Sequence, residues 1–283
     1  MTRIKKSPRY KMKKRLLQLI FLADIAVIIF LGAQFVKHLS YYIDLPSFMD
    51  ITGYGDLLFD KEERVYPQEF VDYLENNSLS EKDFPDDLLN IVGKKPELYD
   101  YICNYPMKKD SYTDEALSED VENEVPLLMQ WDDRWGYYDY GSGKIGYTGC
   151  GPTCLSMVAS HLLNDKTMTP IKLAEFAKEN RYCVKGHGTK WALMSEGAEK
   201  LGLKASELSL DENIVTKELK EGHPIICIVG PGDFTSTGHF IVLTGIDDEG
   251  ITVNDPNSRV NSAKKWQYSD IESQIKNLWG YQL

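Results

Sequence analysis

Gly149-Cys150-Gly151-Pro152-Thr153-Cys154-Leu155-Ser156-Met157-Val158-Ala159 is the stretch from which the rest of the chain is read. Glycines on both sides of Cys150 let the backbone turn sharply and approach another molecule, and Pro152 is well placed as the first residue of a helix. A thiol at a helix N-terminus meets unpaired N–H groups and the positive end of the helix dipole. Both favour thiolate, the form of cysteine that attacks carbon. The remaining residues are therefore read for a base, an orienting acid and an oxyanion donor.

Among five histidines, His38, His161, His187 and His223 have settings that suit other roles: the end of an apolar run, mid-helix, a glycine-flanked loop and a position before proline. His239 differs, because Gly238-His239-Phe240-Ile241-Val242-Leu243-Thr244-Gly245 puts an imidazole at the mouth of an apolar strand. A turn at 247–250 folds the next strand back, so Asp255 in Asn254-Asp255-Pro256 is expected beside His239, holding the ring's other nitrogen toward sulfur. Gln130, in an aromatic context upstream, is the candidate side-chain amide for the oxyanion, together with the Cys150 N–H. Cys154 lies one turn beyond Cys150 and reads as structural.

The element pattern is an α+β one. Helical periodicity covers about 150–163, 169–182, 188–203 and 211–222, followed by Ile/Val-rich strands at 224–229, 238–244 and 250–254. A last helix is expected at about 268–277, before a terminal strand at 278–283. Helices first and consecutive strands later imply an antiparallel sheet. Upstream, Tyr66-Pro67, Phe84-Pro85 and Pro96 each open a short acidic and apolar run, so 66–106 reads as three short helices. Their common face would be Phe70, Leu74, Leu88, Leu89, Val92, Tyr99 and Ile102.

The motifs Gln130-Trp131-Asp132-Asp133-Arg134-Trp135-Gly136, Gly149-Cys150-Gly151-Pro152-Thr153, Gly188-Thr189-Lys190-Trp191, Gly238-His239-Phe240 and Asn254-Asp255-Pro256 resemble, in this order, the C39-like group of papain-fold cysteine peptidases. The resemblance runs over 125–283. It implies a papain-like fold with the cysteine opening the central helix. By motif position it implies Cys150 as nucleophile, His239 as base, Asp255 as the orienting residue and Gln130 as the oxyanion amide. His187, Gly188, Thr189 and Trp191 are candidates for lining the substrate groove. The segment from Phe84 to Pro106 resembles stretches found ahead of such domains in proteins of Gram-positive bacteria.

The net charge of −11 is unevenly divided, since residues 1–15 hold eight positive charges and no acid, leaving the rest at −19. An acidic body repels phosphate backbones, which argues against nucleic acid as a partner. Leu16 to Val36 is largely apolar and long enough to cross a hydrocarbon core of about 30 Å. The basic arm 1–15 would hold that end in the cytoplasm, making 16–37 an uncleaved signal anchor in the cell membrane and placing the domain outside. The expected order is then a stalk at 38–65, the helical segment at 66–106, a solvated acidic linker at 107–124 and the catalytic domain at 125–283. Well-known members of the group cleave leader peptides after a double glycine on the cytoplasmic side, so that substrate is not carried over. Five cysteines, an odd and sparse set, do not make a disulfide framework, and no Cys/His spacing suggests a metal.

The chain is thus expected to be a monomeric, membrane-anchored, extracytoplasmic thiol hydrolase without a cofactor, acting on a peptide or protein, with cell-wall-associated substrates among the candidates. A cell-wall amidase, an acyl transferase with the same triad, and a surface binding module without turnover are the alternatives.

Overall fold

The computed structural model describes residues 64–283, apart from 185 and 187. Among these residues no helix is long and apolar enough to cross a membrane. The expected span at 16–37, the basic arm, the stalk up to 63 and His187 all lie outside the described residues.

Prolines open the first helices. Pro67 precedes α1 (Gln68–Asn76), Pro85 precedes α2 (Asp86–Leu89), and Pro96 begins a 3-10 turn that runs into α3 (Tyr99–Lys108). Phe70, Leu88, Leu89, Val92 and Ile102 are buried together, with Leu74 and Tyr99 at the edge. Tyr137 completes this core from the segment that leads to Cys150. It stacks on Tyr101 at 4.5 Å between ring centroids, and its hydroxyl donates to the Tyr101 carbonyl at 3.0 Å. Tyr101 in turn donates to the Gly136 carbonyl at 2.8 Å. The helical segment is therefore fastened through shared aromatic packing and paired polar groups.

The stretch 109–124 forms no helix or strand. Most of its acids are exposed, yet Leu117 and Val121 are buried in the main core, and Glu119 pairs with Arg134 at 2.6 Å.

Next come β1 (Asp139–Tyr140), β2 (Gly143–Lys144), α4 (Ile145–Thr148), α5 (Cys150–Leu162) and α6 (Pro170–Glu179). In α5 every residue from Gly151 to Ser160 is buried, as befits a helix that is apolar on all sides and packed all round. The expected helix at 188–203 is broken up. It becomes β4 (Gly188–Thr189), paired with β3 (Cys183–Val184), then a 3-10 turn at Trp191–Leu193, α7 (Glu196–Lys200) and the start of β5 (Lys204–Glu207). Gly188 at φ +74° and Gly202 at φ +92° take left-handed backbone that a helix cannot continue through.

After α8 (Glu212–Lys220) follow β6 (Ile225–Val229), β7 (His239–Asp247), β8 (Gly250–Asn254), α9 (Arg259–Ser262), β9 (Lys265–Trp266), α10 (Tyr268–Ile271) and β10 (Ile275–Gln282). The expected helix to 277 stops at Ile271, and β10 starts earlier than the sequence suggested. Residues 275–280 pair with β6 while 279–282 pair with β5, and these ladders override helical periodicity.

The sheet is six-stranded and antiparallel, in the order β5-β10-β6-β7-β8-β9. Alternate residues of β6 and β7 serve two cores: Ile226, Ile228, Phe240 and Val242 pack in the cluster with α5, while Ile225, Cys227, Ile241 and Leu243 pack in the cluster with α8. Covered on both faces, these strands read as continuous apolar runs.

Candidate active site

Cys150 is the first residue of α5, half-buried, with Gly149 as the residue before the helix. The side chain of Thr189 packs so closely on Gly151 that any Cβ there would collide with it, which brings the β3–β4 hairpin against the thiol's neighbour. Gly188 and Thr189 thus lie beside the site. Trp191 is partly exposed and packs edge-on against Trp279 at 6.0 Å.

His239 opens β7 and is 5% exposed, and its Nε2 donates to Asp255 Oδ1 at 2.7 Å. That leaves Nδ1 as the nitrogen for sulfur, and the ring interacts electrostatically with the Cys150 thiol. Asp255 has no exposed surface. Its carboxylate also accepts from Asn261 Nδ2 at 2.9 Å and from the Asn257 N–H at 2.8 Å. Asn261 was not singled out from the sequence, because its role depends on how α9 folds back over Asp255 and no motif marks that.

The electrostatics follow from these contacts. Burial disfavours a carboxylate at Asp255, but the His239 ring, Asn261 and the Asn257 N–H outweigh it and hold the carboxyl below its ordinary range. Burial alone would lower His239, whereas its interactions with Asp255 and Cys150 raise it to about 9. Burial also opposes the thiolate. The His239 ring and the backbone N–H groups of Phe240 and Gly151 overcome that and lower Cys150. Both shifts favour a thiolate–imidazolium pair.

Cys154 has the opposite environment. It is fully buried and pushed well up by desolvation and by the charges of Cys150 and Asp255, so it stays a thiol. All five cysteines are free.

Gln130 is 2% exposed and pinned from two sides: its N–H donates to the Pro256 carbonyl at 2.8 Å and its Nε2 to the Gly146 carbonyl at 3.0 Å. The Gly146 carbonyl can only accept, which fixes the amide's orientation and leaves one Nε2 hydrogen free. Its Oε1 is buried without a partner.

The sequence profile of the Peptidase_C39 like family matches residues 122–282, more than half of the chain. The chain belongs to that family. Among solved structures, this C39-like chain is similar to the peptidase domain of Streptococcus ComA, described as a bi-functional ABC transporter involved in a quorum sensing pathway. The identity is 22%, over 47% of this chain and 88% of that one, with a TM-score of 0.37. It is also similar to a putative C39-like peptidase from Bacillus anthracis, at 17% identity over 56% of this chain and 94% of that one, with a TM-score of 0.36. No curated protein matches it. Family membership supports a function of the cysteine-peptidase type for the C39-like chain.

Among the described residues, the one group with metal-ligand spacing is Glu218, Glu221 and His223, at and just beyond the C-terminal end of α8. There His223 Nδ1 is already bonded to Glu218 at 2.8 Å, which accounts for the cluster without an ion.

Proposed function

We propose that this chain is a cysteine peptidase of papain-like architecture, hydrolysing peptide bonds with Cys150, His239 and Asp255, with Gln130 assisting. The observation that carries the reading is the buried His239–Asp255 hydrogen bond at 2.7 Å, with the Cys150 thiol at the start of α5 interacting with the same ring. The Cys150 thiolate adds to the substrate carbonyl. Negative charge gathers on the carbonyl oxygen, where the free Nε2 hydrogen of Gln130 and the Cys150 N–H serve as donors. The imidazolium of His239 then gives its proton to the leaving amine as the C–N bond breaks, and a thioester to Cys150 remains. His239, now neutral, takes a proton from water as water attacks the thioester, which frees the acid and restores the thiol. Asp255 keeps the ring oriented and favours its charged form throughout. No step calls on a metal or cofactor.

Mass analysis of products from peptide mixtures and from cell-wall fragments tests this reading. Cysteine-150-dependent release of new amino termini from peptides is expected; release of wall amide products alone, or transfer to an added amine without hydrolysis, would replace the peptidase assignment by an amidase or a transferase.

The same proposal places the domain outside the cell, tethered by residues 16–37, on the strength of the eight positive charges that precede this apolar run. Protease added to intact cells should degrade residues 64–283. Protection of that region would reverse the topology.

A further inference from the structure

Glu97 lies in the 3-10 turn ahead of α3, outside the region matched by the family profile, which starts at residue 122. Its side chain nevertheless reaches the turn that follows Asp255. Oε1 accepts from Ser258 Oγ at 2.6 Å and Oε2 from the Arg259 N–H at 2.7 Å, at the start of α9. On its own side the backbone is fixed, since Pro96 precedes Glu97, Leu98 is buried in the helical core and the Leu98 N–H donates to the Lys95 carbonyl at 3.1 Å.

A carboxylate can only accept, so Ser258 commits its hydroxyl proton to Glu97 and keeps a lone pair for the Asn261 N–H at 3.1 Å. Asn261 Nδ2 in turn donates to Asp255 Oδ2 at 2.9 Å, while His239 Nε2 holds Oδ1 at 2.7 Å. One line of contacts thus runs from Glu97 through Ser258, Asn261 and Asp255 to His239. The helix at its centre needs such support. α9 is only Arg259–Ser262, too short to hold a helical shape by itself, and its first N–H groups have no partners within it. Glu97 takes the Arg259 N–H directly and orients the hydroxyl that takes the Asn261 N–H. Ser262 Oγ accepts from the Asp255 N–H at 2.9 Å and donates to the Ser258 carbonyl at 2.8 Å, so Asp255 moves with α9.

We propose that Glu97 is a positioning residue for the triad: through Ser258 and Asn261 it holds the Asp255 carboxylate where it can orient the His239 ring and favour its charged form. The helical segment is then a working part of the enzyme and not a spacer ahead of it. This rests on the triad reading of the site.

The charged groups that act on the His239 ring are Asp255 and Cys150, and a loosened Asp255 lets the ring fall back toward its ordinary, lower range. Alkylation of Cys150 by iodoacetamide across pH, followed by mass, reads this without any substrate. Its alkaline step marks loss of the His239 proton, because a thiolate freed of its cation is more basic and reacts faster. In Glu97→Ala that step should move to lower pH by about half a pH unit or more. Ser258→Ala, which removes the hydroxyl in between, should move it the same way and keeps the inference testable if Glu97→Ala folds poorly. In an Asp255→Asn background Glu97→Ala should add no further movement, since its route to the ring is already cut. On a peptide that wild type cleaves, Glu97→Ala should lower kcat by about three- to tenfold with KM within about twofold. A step that stays in place in Glu97→Ala or Ser258→Ala, or one that moves as far in the Asp255→Asn background as in wild type, would overturn the inference. Failure of the triad reading looks different, because Cys150→Ser would then label as wild type does.

Discussion

Cys150→Ser is expected to lose about 10⁴-fold or more in turnover and all labelling by a thiol-reactive peptide probe, while Cys154→Ser keeps both. The two sulfurs lie one helical turn apart and differ only in surroundings. Cys150 faces the His239 ring and two backbone N–H groups, whereas Cys154 is sealed in the core with its thiol pushed well up. Alkylation of Cys150 should persist well below pH 9, the usual range of a thiol, because the thiolate survives down to its lowered folded value. The opposite limb belongs to His239. Its proton is lost as pH rises through about 9, so kcat/KM should decline there for want of an acid to protonate the leaving amine. In Asp255→Asn that alkaline limb should move to lower pH, since the carboxylate is what raises His239. Labelling that follows Cys154, or a pH profile indifferent to Asp255, would remove the triad from the mechanism.

The second large effect lies away from the sulfur. Gly146→Ala should lower stability by about 1–3 kcal/mol from overpacking, a fall of roughly 2–12 °C in Tm for a domain of this size. A Cβ at 146 would strike the hydroxyl end of Tyr101, and that ring has little room to yield: it is 3% exposed, stacked on Tyr137 and bonded to the Gly136 carbonyl. The Gly146 carbonyl also receives Gln130 Nε2, so displacement of this turn misplaces the oxyanion amide. A loss of about 10- to 10³-fold in kcat is expected on top of the stability loss. Trimming the obstacle, as in Gly146→Ala with Tyr101→Leu, should return kcat toward wild type. If Gly146→Ala melts like wild type and turns over normally, neither the Tyr101 packing nor the Gln130 anchor has the role given to it.

Legibility differed from residue to residue for physical reasons. The N-terminal position of Cys150 was readable because glycine, cysteine, glycine and proline act locally, on their own φ/ψ and on the nearest N–H groups. The helix expected at 188–203 failed because Gly188 and Gly202 adopt left-handed backbone, and the early start of β10 was hidden because strand identity there depends on β5 and β6. Glu97 lies in the helical segment and carries no motif. Its place against the turn that carries Asp255 exists only because it meets Ser258 and Arg259 about 160 residues later.

The hairpin shows where the boundary falls. Sequence by itself determined that His239 opens an apolar strand and that Asp255 ends the one folded back on it. Alternation alone, counted from the turn pairs Asp247–Gly250, Ile246–Ile251 and Gly245–Thr252, would set Asp255 opposite Val242, on the face away from His239. The register shifts by one residue between Leu243 and Gly245, so that Leu243 pairs with Val253 and Val242 with Asn254. The extra residue, Thr244, moves Asp255 across from Ile241, on the same face as His239 and diagonal to it, and the 2.7 Å bond follows. The side-chain period of a strand is two, so one bulged residue decides whether the imidazole meets its carboxylate. That choice was made by tertiary packing on both faces of the sheet.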